Sequence, residues 1–106
     1  MAVNKEAKEA RDYIKKVLQA YPDICKKPPD QRTRNERRRV DSVKQLLEFM
    51  EFTDHAADKR KIIDLVYFRQ SHTLAGAAMR IPVGERTAQT WNAQIIELMA
   101  QIMDLM

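Results

Sequence analysis

The sequence predicts an all-α fold of about five helices, ending in a helix-turn-helix and a long final helix. Three observations predict it. Apolar residues recur at spacings of three and four through most of the chain. Only two glycines and four prolines interrupt 106 residues, which leaves room for long helices and little support for a many-turned β fold. Hydrophobic residues at 44% and charged residues at 32% suit a folded helical chain and argue against overall disorder.

The elements follow in order. Asn4 suits an N-cap, and Ala7, Ala10, Ile14, Val17, Leu18 and Tyr21 form one apolar face, so a first helix is expected from Asn4 to about Tyr21. Pro22 is expected to stop it, and Pro28 and Pro29 extend the loop. A second helix is expected from Asp30 to about Phe52. It is basic first (Arg32, Arg34, Arg37, Arg38, Arg39) and apolar later (Val40, Val43, Leu46, Leu47, Phe49, Met50). Thr53-Asp54-His55 reads as a break, with Thr53 or Asp54 as the next cap.

A third helix, Ala56 to Arg69, is apolar on most sides through Ile62, Ile63, Leu65, Val66, Tyr67 and Phe68, which places it centrally. Thr73 suits the cap of a short fourth helix, Leu74 to Arg80 or Ile81, and Pro82-Val83-Gly84 forms a turn. The fifth helix starts near Gly84 or Glu85 and is expected to run almost to Met106. Residues 1–55 thus form a helical region with a basic patch at 26–39, and residues 56–106 the helix-turn-helix region, within one compact domain.

Charge is uneven within a net +4. Residues 26–39 hold seven basic and two acidic side chains, a local +5, whereas residues 40–106 hold seven basic and nine acidic, a local −2. The single Cys25 excludes an intramolecular disulfide and suits a reducing cytoplasm. No Cys/His cluster, Gly-rich phosphate loop, carboxylate pair or serine elbow stands out, so neither an enzyme nor any cofactor or metal is expected. His55 and His72 are read as surface or capping residues. The N-terminus lacks the apolar stretch of a signal peptide, and no run approaches a membrane span.

The stretch from about Thr73 to Gln94 carries the functional reading. Leu74, Ala78, Ile81 and Val83 suit the inward side of a helix-turn-helix, and Ala88, Trp91 and Ile95 repeat at i, i+3, i+7. At ~100° per residue the opposite face then holds Arg86, Gln89, Thr90 and Ala93, flanked by Glu85 and Thr87. Arg suits guanine, Gln suits adenine, Thr or Ala suits a thymine methyl, and Glu suits cytosine N4. Glu85 also suits the positive end of the helix dipole. Lys59, Arg60, Lys61, Arg69, Thr73 and Arg80 are candidates for phosphate contact, as are Arg32, Arg34, Arg37, Arg38 and Arg39 of the basic patch. Pro82 stands where many such turns carry glycine, which leaves the register of the reading face open by one residue.

The segment Lys61-Ile62-Ile63-Asp64-Leu65-Val66-Tyr67-Phe68, followed by residues Thr73 to Met99, resembles the region-four-like helix-turn-helix of sigma factors. It is more similar to the ArpU/RinA-type late-operon regulators of phages and prophages, through Thr73-Leu74-Ala75-Gly76-Ala77-Ala78 and Arg86-Thr87-Ala88-Gln89-Thr90-Trp91-Asn92. The resemblance covers roughly the last 45 residues. It implies a sequence-specific double-stranded DNA-binding regulator of late phage transcription. Two alternatives stand beside it: a small terminase-like packaging subunit, and an interaction module for RNA polymerase or a sigma factor. The apolar, Met-rich run Ile95 to Met106 suits either packing within the chain or the seam of a homodimer.

Overall fold

The computed structural model describes the backbone of residues 2–104 and the side chains of residues 8–104. It is all-helical. The elements are α1 (Ala2–Lys26), a single 3-10 turn (Pro29–Gln31), α2 (Arg34–Met50), α3 (Ala56–Ile62), a π-helical segment (Ile63–Phe68), α4 (Leu74–Arg80) and α5 (Glu85–Ile102). No described helix is long and apolar enough to cross a membrane.

One core joins both halves of the chain. Ile14, Val17 and Leu18 from α1 and Val43, Leu46 and Met50 from α2 meet Ile62, Ile63, Tyr67, Trp91, Ile95 and Met99. Each fully buried aliphatic side chain contributes about 1.5–3 kcal/mol by leaving water. The apolar third helix is central as expected, since Ile62 and Ile63 are fully buried.

Helix ends and caps differ from the sequence reading at five points. α1 begins at Ala2, so Asn4 lies within the helix instead of capping it; its side chain lies outside the described ones. α1 also continues through Pro22 to Lys26. The proline removes one donor, but the turn beyond it is held by tertiary contacts. Ile24 is buried, and the Arg32 guanidinium donates to the carbonyls of Ile24 and Cys25 at 3.1 and 3.2 Å. Both carbonyls lie in the last turn of the helix; Ile24 O also accepts from Lys27 N–H at 3.1 Å.

The second helix starts at Arg34, not Asp30. Thr33 and Glu36 form a reciprocal capping box: Glu36 N–H donates to Thr33 Oγ1 at 3.1 Å, and Thr33 N–H to Glu36 Oε1 at 2.9 Å. α3 is capped by neither Thr53 nor Asp54. His55 occupies that position in the left-handed region, at φ 60°, while the Thr53 hydroxyl donates back to Met50 O at 2.7 Å. α5 ends at Ile102, before the expected run to the C-terminus; Leu105 and Met106 lie outside the described residues.

From Ile63 the third helix widens into a π turn, where Arg69 N–H donates to Asp64 O at 2.7 Å, five residues back. An Arg69–Asp64 ion pair at 2.9 Å spans the same turn. Thr73 caps α4 as expected, accepting from Gly76 N–H at 3.1 Å. The turn into α5 is closed by Val83 N–H donating to Ala78 O at 3.1 Å. Neither glycine takes a positive φ; the residue that does in this turn is Pro82, at 29°.

The candidate nucleic-acid interface

α4 and α5 pack together around small side chains. Ala77 and Ala78 on α4 and Ala88 on α5 are buried, so the two backbones can approach closely. Of these, Ala77 was not singled out in the sequence, because two adjacent alanines give no periodicity. Ile81, Trp91 and Ile95 are buried, and Leu74 and Val83 pack half-buried against the same core. Trp91 is a core residue, and the His55 ring stacks on it at 5.2 Å between centroids. His72 lies beside Ser71, its Nδ1 2.8 Å from Ser71 Oγ.

With that side buried, the other side of α5 is open. Glu85, Arg86, Thr87, Gln89, Thr90 and Ala93 are all exposed, while Asn92 is half-buried. Arg86 forms no ion pair among the described residues. The Thr90 hydroxyl donates to Arg86 O at 3.1 Å, so Thr90 offers a methyl group and lone pairs, not a free proton. Gly84 caps α5 without any side-chain bond, which leaves first-turn N–H groups open at the positive end of the helix. Arg80, exposed in the last turn of α4, lies four residues before Gly84.

The phosphate candidates separate into groups. Lys59 is a correction: it is only 8% exposed, beside Met50, Ile95 and Leu98, because the turn of α3 that carries it packs against α5. Arg60 pairs with Glu51 at 2.9 Å and Arg69 with Asp64, so each cation faces a carboxylate. Lys61 and Arg80 are exposed without an ion pair among the described residues. Thr73 is spent on its cap.

In the basic patch, Arg32 is spent on the end of α1, and Arg37 Nε donates to Arg32 O at 3.3 Å. Arg39 lies over the Tyr13 ring, 5.8 Å from its centroid. Arg34 and Arg38 are exposed. Arg38, Arg39 and Ser42 line one cleft with Ile102, Met103 and Asp104, so the patch sits at the C-terminal end of α5. Arg86 is at the other end. Sixteen residues of helix between Arg86 and Ile102 make about 24 Å at ~1.5 Å per residue. The basic patch and the Arg86 face are therefore two surfaces, not one.

The described part of the Met-rich run packs largely within the chain. Ile95, Ile96, Met99 and Ala100 are buried inside the chain, and Leu98, Ile102 and Met103 pack against the same core. Exposed apolar bulk lies elsewhere, at Phe52 (90% exposed), Met79 (83%) and Phe49 (53%). No protein-family model, curated protein or solved structure matches the chain.

Proposed function

We propose that this chain binds double-stranded DNA and reads its sequence with the exposed face of the N-terminal half of α5. The observation that carries the reading is the division of that helix. Ala88, Trp91 and Ile95 are locked into the core, and Arg86, Gln89, Thr90 and Ala93 are left in solvent directly after a tight turn. A rigid helix whose outward side chains match base edges is what major-groove readout needs. Arg80, Lys61 and the open N–H groups at the start of α5 supply phosphate contacts. The resemblance of residues 61–99 to late-operon regulators makes transcriptional regulation of phage or prophage genes the role proposed, with a homodimer as the binding unit and the cytoplasm as its place.

The local charge is modest, so affinity is expected to be modest too. With two or three phosphates neutralised per protomer, the slope of log K against log salt should be about −2 to −3. Fluorescence anisotropy with a duplex enriched from a random library, at several salt concentrations, measures both. Absence of binding at low salt, or a slope independent of Arg80→Ala, counts against the reading.

Met79 favours a second reading. A methionine so exposed on α4, in a region of net negative charge, suits contact with a protein such as RNA polymerase or a sigma factor. Co-purification with polymerase that Met79→Lys abolishes, with no DNA affinity, would decide for it. A mass far above a dimer would instead favour a ring-forming packaging subunit.

A further inference from the structure

Lys59 is the one charged side chain that is buried among the described residues, with 8% of its surface exposed. It takes part in no ion pair and no side-chain hydrogen bond among them. Lysine is almost never this buried unless it is paired, because its ammonium gives up water without gaining an anion. Yet no fully enclosed side-chain nitrogen or oxygen among the described residues lacks a partner. The Lys59 ammonium therefore keeps a contact with open space. The space that Lys59 lines is a cleft of about 300 Å³ between the end of α2, α3 and α5.

The rest of the lining divides by chemistry. Met50, Ile95 and Leu98 make an apolar wall, and Thr53 and Gln94 are polar. The Thr53 hydroxyl donates its proton to Met50 O at 2.7 Å, so toward the cleft it offers only lone pairs. The Gln94 amide donates to no partner among the described residues. Nearby carboxylates leave the cation unanswered. Glu51 faces Arg60 at 2.9 Å, and Asp58 and Glu97 form no ion pair among the described residues.

We propose that this cleft binds a small aliphatic monocarboxylate, its carboxylate on the Lys59 ammonium and the Gln94 amide and its alkyl chain along Met50, Ile95 and Leu98. One ammonium and one amide answer a single negative charge; a phosphate dianion needs more donors than the cleft holds. The volume lies at the lower end of ligand pockets, which limits the alkyl chain to a short one. A free acid is favoured over a peptide because the cation is recessed, and only a slender chain end reaches it.

The site stands apart from DNA reading, and its test uses no nucleic acid. Amide correlation NMR spectra of the full chain, titrated with sodium hexanoate at fixed ionic strength, are expected to show saturable shifts centred on the cleft. The Kd should be about 0.1–10 mM. Butyrate, two methylenes shorter, should bind about tenfold more weakly. Hexan-1-ol, with the same chain and no charge, should be at least tenfold weaker than hexanoate. Lys59→Met keeps an apolar stem and should abolish the preference for hexanoate over hexanol. Gln94→Glu, at an exposed position, should weaken hexanoate about tenfold with circular dichroism unchanged. Scattered or unsaturable shifts overturn the proposal, as does a Lys59→Met or Gln94→Glu variant that binds hexanoate like the parent. Acetyl-leucine, which presents the same carboxylate as a peptide end, should bind more weakly than hexanoate. Tighter binding of acetyl-leucine would assign the cleft to a peptide C-terminus and overturn the free acid.

Discussion

The Tyr67 hydroxyl donates to the side-chain oxygen of Asn92, tying the π-helical segment to the middle of α5. Tyr67 is almost wholly buried, whereas Asn92 keeps contact with water. That difference sets an asymmetry between two substitutions. Tyr67→Phe frees an amide that water can reach and should cost about 0.5–1.5 kcal/mol. Asn92→Ala strands a buried hydroxyl and should cost about 1–3 kcal/mol. Paired urea melts measure both; a larger cost for Tyr67→Phe would contradict the assignment. Burial also pushes the Tyr67 phenol above its ordinary value of 10.0. Its contribution is complete below pH 10 and should be lost as pH rises through the higher folded value.

Glu36 makes the N-terminus of α2 sensitive to acid. The Thr33 backbone N–H, and then the Lys27 ammonium at 2.9 Å, hold its carboxyl at about 2, against an ordinary 4.5. A depressed carboxyl stabilises the fold above its unfolded value, and that contribution fades as pH falls from about 4.5 through about 2. Side-chain carboxyl titration by NMR should find Glu36 well below its ordinary 4.5. Thr33→Ala removes the Oγ1 that accepts from Glu36 N–H while keeping the backbone N–H, and should cost about 0.5–2 kcal/mol in a thermal melt. A Glu36 that titrates at its ordinary 4.5 would rule out the capping box.

The sequence carried the helices better than their ends. The spacing of Ala88, Trp91 and Ile95 gave the buried side of α5, and Thr73 marked the start of α4, because both are local patterns with one physical outcome. The capping box was equally visible as Thr33-x-x-Glu36 but was masked by the surrounding arginines. Other features depend on residues distant in sequence. Pro22 stays helical because Ile24 is buried and Arg32 returns to the helix end. His55 at φ 60° stacks on Trp91, thirty-six positions later. The separation of the basic patch from Arg86 follows from how α2 lies along α5, which no local pattern encodes.

The proposed reading of DNA depends on the outward face of α5. Its most direct test is the binding preference of the parent, Arg86→Ala and Gln89→Ala, measured by selection from a random duplex library at fixed salt. The parent is expected to select a defined site. Each variant should lose about 1–3 kcal/mol there and relax preference at a different position, guanine for Arg86 and adenine for Gln89. Variants that select the same site as the parent, with the same affinity, would contradict it.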